Sequence, residues 1–169
     1  MIKVIFICHG NICRSPMAQF VLQELVNKIG LSSEFKIRSA ATSQEEIGNG
    51  VYPPVQRLLN NLGIDVSSKK ARQITKADCN EYDYIIAMEE YNVKNLFFLH
   101  SSVLNKCKVF LLKDFTDTPG DIDDPWFTRQ FDVTYNEVLE GCRCFLKTLN
   151  KEGKITLNDE QLKIIDEDL

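Results

Sequence analysis

The sequence predicts a single α/β domain built on a central four-stranded parallel twisted sheet with helices on both faces. Three observations carry this reading. Short apolar runs recur four times with helically spaced apolar residues between them, which is the alternation of βαβ units with right-handed crossovers. The first run, Ile2 to Ile7, is apolar apart from Lys3, as a strand covered on both faces must be. A chain of 169 residues, 44% hydrophobic and 26% charged, suits one globular domain with a substantial core.

The first strand, Ile2 to Ile7, runs into a turn over 9–13. Ser15 and Pro16 then read as a helix start, with serine as N-cap and proline at the first helical position. Ala18, Val21, Leu22, Leu25, Val26 and Ile29 keep helical spacing, and Gly30 closes the element. Phe35 to Ser39 is a second strand. The polar loop E-E-I-G-N-G follows, and Tyr52-Pro53-Pro54 leads into a helix carrying Val55, Leu58, Leu59 and Leu62, ended by Gly63. Tyr84 to Met88 is the third strand, a short helix runs from about Glu90 to Phe97, and Lys108 to Leu112 is the fourth strand. Beyond the turn-rich acidic stretch D-F-T-D-T-P-G-D-I-D-D-P-W comes a long helix from about Phe131 to Leu149. Its candidate inward positions are Val133, Val138, Leu139, Cys142, Phe145, Leu146 and Leu149. Residues 1–150 read as the domain. The tail, 151–169, is charged but keeps an apolar spacing at Leu157, Leu162 and Ile165, which fits either an accessory helix or a partly ordered tail.

A net charge of −4 gives no nucleic-acid footprint, and no segment has the apolar length of a membrane span. The short apolar run at the start lacks a following small-residue cleavage site, so the expectation is a cytoplasmic protein. Its six cysteines should then be reduced thiols. No zinc spacing is present: His9 and His100 lie far apart, and Cys142-x-Cys144 is too tight and faces two sides of a helix. No metal and no cofactor are expected, and the oligomeric state expected is a monomer.

The chemistry concentrates where the first strand meets the first helix. Cys8 and Arg14 bracket His9-Gly10-Asn11-Ile12-Cys13. Six cysteines and the arginine frequency predict roughly 0.2 such pairs by chance, so the context of strand, glycine and Ser-Pro helix start matters more than spacing. A thiol at a helix N-terminus meets unpaired backbone N–H groups that favour negative charge. The successive N–H groups of the turn can curl into an anion nest. Gly10 offers backbone angles closed to other residues, Arg14 a bidentate grip, Ser15 a hydroxyl for the thiolate, and Asn11 side-chain bonds to hold the loop. A ring of donors above a sulfur suits a tetrahedral oxyanion. In-line attack by Cys8 on phosphorus would form phosphocysteine without a metal. Such sheets gather ligands at the carboxyl ends of their strands, where the acidic loop after Leu112 also emerges.

Expelling the leaving oxygen calls for a proton donor, and Asp114, Asp117, Asp121, Asp123 and Asp124 are the candidates. Asp124 stands out because Pro125 restricts it to extended conformations, and Trp126 and Phe127 seat the loop.

The string C-H-G-N-I-C-R-S-P-M-A at 8–18, preceded by V-I-F-I, resembles the signature of the low-molecular-weight protein tyrosine phosphatase family, in its bacterial type. The resemblance continues through S-A-A-T at 39–42, A-R-Q at 71–73, D-P-W at 124–126 and the closing helix, so it spans roughly residues 2–149. It implies hydrolysis of phosphotyrosine in a protein, or of a small aryl phosphate, with Cys8 as nucleophile, Arg14 as phosphate-binding arginine and Asp124 as general acid and base. The same resemblance makes Asn11 the loop organiser bonded to Ser39, Ser15 the thiolate donor, and Cys13 a redox partner of Cys8, against simple packing for Cys13. Trp126 is expected as one wall of the substrate slot and Tyr52 or Ile47 as the other, with a core or hinge role equally open for Tyr52.

The chain departs from that pattern at Lys69, where relatives place histidine, and at Glu89, where many carry aspartate. Protein-arginine phosphatases resemble the same family and tend to carry threonine where this chain has Ile12. Thiol-dependent arsenate reductases need a mid-chain cysteine pair, and only Cys79 lies there. A phosphopeptide-binding module without catalysis would need Arg14 but not Cys8, Ser15 and Asp124 together.

Overall fold

In a computed structural model describing residues 1–169, the first apolar run becomes the central strand of the sheet. β1 (Ile2–Cys8) sends Val4, Phe6 and Cys8 to one face and Ile5 and Ile7 to the other, the two-residue period of a pleated strand. It pairs along its whole length with β2 (Phe35–Ala41), from Ile2↔Phe35 to Cys8↔Ala41. On its other side lies β3 (Tyr84–Ala87), from Val4↔Tyr84 to Ile7↔Ala87, and β4 (Val109–Leu111) closes that edge. All pairings are parallel and the order is β2-β1-β3-β4.

Because β1 has β2 on one side and β3 on the other, the connections leave it in opposite directions. The resulting switch point opens a crevice beyond the carboxyl ends of β1 and β3. Cys8 at the end of β1 with the turn that follows it, and Met88–Glu89 after β3, therefore face each other across it.

α1 (Arg14–Lys28) and α6 (Phe131–Lys151) cover one face. Met17, Val21, Leu22 and Leu25 meet Val138, Cys142, Phe145, Leu146 and Leu149 in the larger core, which also takes Val55 and Leu59 of α2 (Pro53–Asn61). The opposite face is closed by α3 (Lys76–Glu81) through Cys79 and by α4 (Glu90–His100) through Leu96, against Ile5, Ile7, Ile85 and Leu111. A single turn, α5 (Pro125–Thr128), follows the acidic stretch, and α7 (Asp159–Ile165) ends the chain.

Besides a β2 two residues longer and a β3 one residue shorter than expected, four details differ from the sequence expectation. α1 starts at Arg14 with Cys13 at the N-cap, so Ser15 lies inside the helix and Pro16 is its third residue. Proline is tolerated there because the first four helical N–H groups lack intrahelical partners anyway. Val133 is exposed rather than inward, and the neighbouring Thr134 takes the buried position. β4 is shorter than expected, since Leu112 already begins a 3-10 turn running to Phe115. α3 was hidden by its polar composition, and its one local signal is the reciprocal Thr75/Asp78 capping box.

The tail forms α7 and packs against the domain. Asn158 and Gln161 cap α7 reciprocally, and Ile165 is buried. Arg143 of α6 donates to the carbonyls of Ile165 and Glu167, each at 2.7 Å, and Gln161 donates to the Ile29 carbonyl at 2.8 Å. All six cysteines are free thiols, and no helix is long and apolar enough to cross a membrane.

Candidate active site

The turn between β1 and α1 is a cradle organised around one asparagine. Asn11 adopts a left-handed backbone, φ 58°, in a turn where sequence pointed to Gly10 for the unusual angles. Asparagine is among the few side chains that tolerate this conformation. Gly10 serves a different need: a Cβ there would sit 3.3 Å from the Cγ of Glu46, so the glycine allows the 44–50 loop to close over the turn.

The buried Asn11 amide donates to Ser15 Oγ at 2.8 Å and to Ser39 Oγ at 3.0 Å, and its oxygen accepts the Arg72 N–H at 3.3 Å. Three segments distant in sequence are tied by that one side chain. Ser15 Oγ accepts from Asn11 and lies 3.0 Å from Cys8 Sγ, a hydrogen bond in which the hydroxyl is the donor once the sulfur is a thiolate. The Asn11 N–H also points at the sulfur, at 3.3 Å. This explains why Ser15 is not the N-cap: its hydroxyl is committed to the sulfur rather than to the helix amides.

Arg14 is almost wholly buried, unlike an ordinary surface arginine. One of its terminal nitrogens donates to the Ile122 carbonyl at 2.8 Å and pairs with Glu89 Oε2 at 3.0 Å. The other lies 3.4 Å from Asp124 Oδ2. Burial works against its charge, but the Cys8 sulfur, Glu89 and Asp124 outweigh it, and the guanidinium stays charged. Glu89 is held for this role by sequence-local means. It is the N-cap of α4, in a reciprocal capping box with the buried Asn92. The longer glutamate therefore reaches Arg14 from the end of β3, across the crevice.

Of the five candidate aspartates, only Asp124 lines the cleft. Asp121 accepts the Glu90 N–H and Asp114 the Gly120 N–H, so both are engaged in holding loops. Asp124 is the N-cap of α5, with an extended backbone before Pro125 and its Oδ1 accepting the Trp126 N–H at 3.0 Å. Its second oxygen is left facing Arg14.

The cleft above the cradle has a volume of about 360 Å³. Cys8, Cys13 and Arg14 lie at its base, with Trp126 and Phe127 on one side. The opposite wall is Glu45 and Glu46, where Ile47 was expected. Ile47 instead points outward and is 56% exposed, while Glu45 bonds His9 at 2.9 Å. Tyr52 does not line the cleft either. Its ring packs behind Trp126 at 4.8 Å, and Arg129 donates to its hydroxyl at 2.9 Å, so it supports the wall. The two glutamates were missed in the sequence, since only the closed loop shows which of its residues turn inward, and Phe127, expected to seat the loop, is instead 80% exposed and lines the cleft.

Two neighbours of the cradle carry shifted proton equilibria. Burial pushes the Cys13 thiol far up, with the Cys8 charge adding to it, so Cys13 is a neutral thiol. Lys69 donates to the Ser39 carbonyl at 3.1 Å, directly beneath the Asn11 network. Its amine is pushed down from 10.5 to about 8, by burial first and then by Arg72. The unfolded chain keeps this proton to the higher value, so between the two values it binds more protons than the folded chain, and stability rises with pH there. Lys69→Met is expected to remove that rise. Urea midpoints of the two proteins between about pH 8 and 10 check it, and parallel pH dependences would contradict it.

No cluster of histidine, cysteine or acidic side chains has the arrangement of a metal site. The donor set at the cradle consists of backbone N–H groups, hydroxyls, a thiol and a guanidinium. It fits a small oxyanion seated against the sulfur.

The model of the family described as low molecular weight phosphotyrosine protein phosphatase matches residues 3–155. The Bacillus subtilis protein named low molecular weight protein-tyrosine-phosphatase YfkJ is 34% identical over 157 residues, covering 92% of this chain and all of the relative. Its crystal structure superposes with a TM-score of 0.85 over 90% of this chain and 96% of that one. The human low molecular weight phosphotyrosine protein phosphatase is 38% identical over 149 residues, 86% of this chain and 94% of its own length. A solved Drosophila arginine phosphatase is similar too, at 32% identity and a TM-score of 0.80, covering 87% of this chain and 97% of that chain.

Proposed function

The chain belongs to the low molecular weight phosphotyrosine protein phosphatase family, and from that premise we propose that it hydrolyses phosphotyrosine monoesters through a phosphocysteine intermediate. The observation that carries the reading is the convergence on Cys8 Sγ of the Ser15 hydroxyl and the Asn11 N–H, with Arg14 and Asp124 on the same cleft.

The phosphoryl group seats over the helix N-terminus, where backbone N–H groups of the turn 9–14 and the Arg14 guanidinium take its oxygens. Glu89 and the Ile122 carbonyl hold Arg14 in place for that contact. The Cys8 thiolate attacks phosphorus in line, and the phosphorus–oxygen bond to the tyrosine breaks. Protonated Asp124 gives its proton to the departing phenolate. The resulting carboxylate then takes a proton from water, which attacks phosphorus and releases inorganic phosphate and the Cys8 thiolate. No metal enters either step. The aryl ring is expected to lie against Trp126, which Tyr52 backs.

Phosphoarginine is the second reading, and one observation bears on it: the chain is similar to the Drosophila arginine phosphatase. Ile12 lines the cleft wall and brings a bulky apolar side chain there, which favours an aryl group. Metal-chelated assays with matched phosphotyrosine and phosphoarginine peptides test the choice. Faster turnover of phosphotyrosine is expected, and a phosphoarginine preference would overturn the aryl reading.

The reading extends to a monomeric cytoplasmic enzyme acting on phosphoproteins, without a nucleic-acid, membrane or cofactor partner. It also extends to redox sensitivity. A Cys8 thiolate oxidised by a peroxide, which is reduced to water or an alcohol, gives a sulfenic acid that would condense with the Cys13 thiol to form a Cys8–Cys13 disulfide and water. The neutral, buried state of the Cys13 thiol makes that closure slow.

A further inference from the structure

A second pocket of about 210 Å³ lies on the far side of His9 from the cradle. Its walls are Tyr91, Asn95, Phe98 and Leu99 of α4 together with Thr42 and Ser43 beyond β2, and His9 belongs to both pockets. α4 buries Asn92 and Leu96 on its inner side. The spacing of 91, 95, 98 and 99 puts the pocket residues together on its outer stripe, where a soluble helix ordinarily carries charge. Phe98 is 88% exposed and Tyr91 57% exposed. Apolar groups gathered in this way with polar neighbours mark an interaction site.

We propose that this pocket receives an apolar side chain of the substrate polypeptide, one or two positions from the phosphotyrosine. The inference rests on the phosphotyrosine reading and extends it from the reacting group to its sequence context. Continuity is the first argument for this occupant. His9 is the partition, bonded to Glu45 on one side and in ring contact with Tyr91 on the other, at 6.3 Å between centroids. A polypeptide whose phosphotyrosine fills the cradle must cross His9. An extended chain advances about 3.3 Å per residue, so a neighbour one or two positions on spans a single side chain.

Charge is the second argument. The cleft carries Arg14, Glu45, Glu46 and Asp124, whereas no acidic or basic residue other than the shared histidine lines the second pocket. An apolar flank is matched there and a charged one is not. Thr42, Ser43 and Asn95 add hydroxyl and amide groups suited to a peptide backbone. A second copy of the chain fits less well. A stable dimer needs roughly 1,000 Å² or more of buried surface, far beyond three apolar side chains on one helix.

The test compares wild type, Tyr91→Ala and Phe98→Ala on three substrates. These are a small aryl phosphate, a phosphotyrosine peptide with leucine at the two positions on each side, and the same peptide with glycine there. Both side chains are exposed, so the variants fold. For the leucine peptide kcat/KM is expected to fall about tenfold in Phe98→Ala, chiefly through KM. Turnover of the aryl phosphate and the glycine peptide should stay within about twofold. An equal loss on all three substrates, or none on the leucine peptide, overturns the proposal. So does a Phe98→Ala variant whose mass in solution changes while peptide turnover does not, since that assigns the patch to self-association. If wild type hydrolyses none of the three, the phosphatase reading fails instead. Fluorescence anisotropy of the same peptides then decides the pocket: leucine-dependent binding lost in Phe98→Ala upholds it, and flank-independent binding overturns it.

Discussion

Cys8→Ser is expected to lower aryl phosphate turnover at least about 10³-fold while leaving inorganic phosphate binding within a few-fold of wild type. Of the donors that would seat the anion, the Arg14 guanidinium is held by Glu89 and the Ile122 carbonyl as well as facing the sulfur, so it stays in place without it. Asn11 is anchored independently by Ser15, Ser39 and Arg72, so the cradle keeps its shape. What is lost is the nucleophile. A serine hydroxyl needs an adjacent base, and the only imidazole nearby, His9, is engaged with Glu45. Isothermal titration with phosphate beside a steady-state assay separates the two effects. Retained turnover, or loss of turnover together with phosphate binding, would contradict the assignment.

Asp124→Ala is expected to reduce kcat by about 10²- to 10³-fold with leaving groups of high pKa and far less with acidic ones. An acidic phenol departs without a proton, so the dependence on leaving group identifies the donor more securely than the size of the loss. Asp124 also caps α5 and neighbours Arg14, so alanine additionally costs about 1 kcal/mol of cap stability and loosens the Trp126 wall. Asp124→Asn separates these roles. The amide oxygen can still accept the Trp126 N–H, but the side chain has no acid proton to give. The same leaving-group dependence in Asp124→Asn is expected. A uniform loss across leaving groups in both variants would assign the aspartate to loop structure alone.

How much of this was legible in the sequence depends on the range of the interactions involved. β1 and the helix after it were readable because their patterns are local: a run of apolar residues, then helical spacing closed by Gly30. Asp124 was distinguishable from its neighbours because Pro125 acts on the residue directly before it. Asn11 as the loop's left-handed residue was not readable beside a glycine, since its conformation is selected by bonds to Ser39 and the Arg72 backbone, 28 and 61 residues away. The start of α1 was misplaced for a related reason: Ser15 looks like a cap until Cys8 claims its hydroxyl. The glutamate wall and the supporting role of Tyr52 likewise depend on loops closing over one another, as does the inward turn of Glu89 toward Arg14. Lys69 was visible as a departure, but its lowered amine is a property of burial beneath the Asn11 network.

The central claim is a covalent phosphoryl group on Cys8. Asp124→Asn sharpens its detection, because an aryl phosphate with an acidic leaving group still transfers its phosphoryl while the water that should remove it lacks a base. The most direct measurement mixes this variant with such a substrate, quenches in denaturant at mildly alkaline pH within the first turnover, where the sulfur–phosphorus bond survives, and maps the product by peptide mass spectrometry. The phosphoryl group is expected on Cys8, accumulating as phenol is released and absent from Cys8→Ser. Phenol release with no phosphoryl on Cys8, or a phosphoryl group on another residue, would contradict the account.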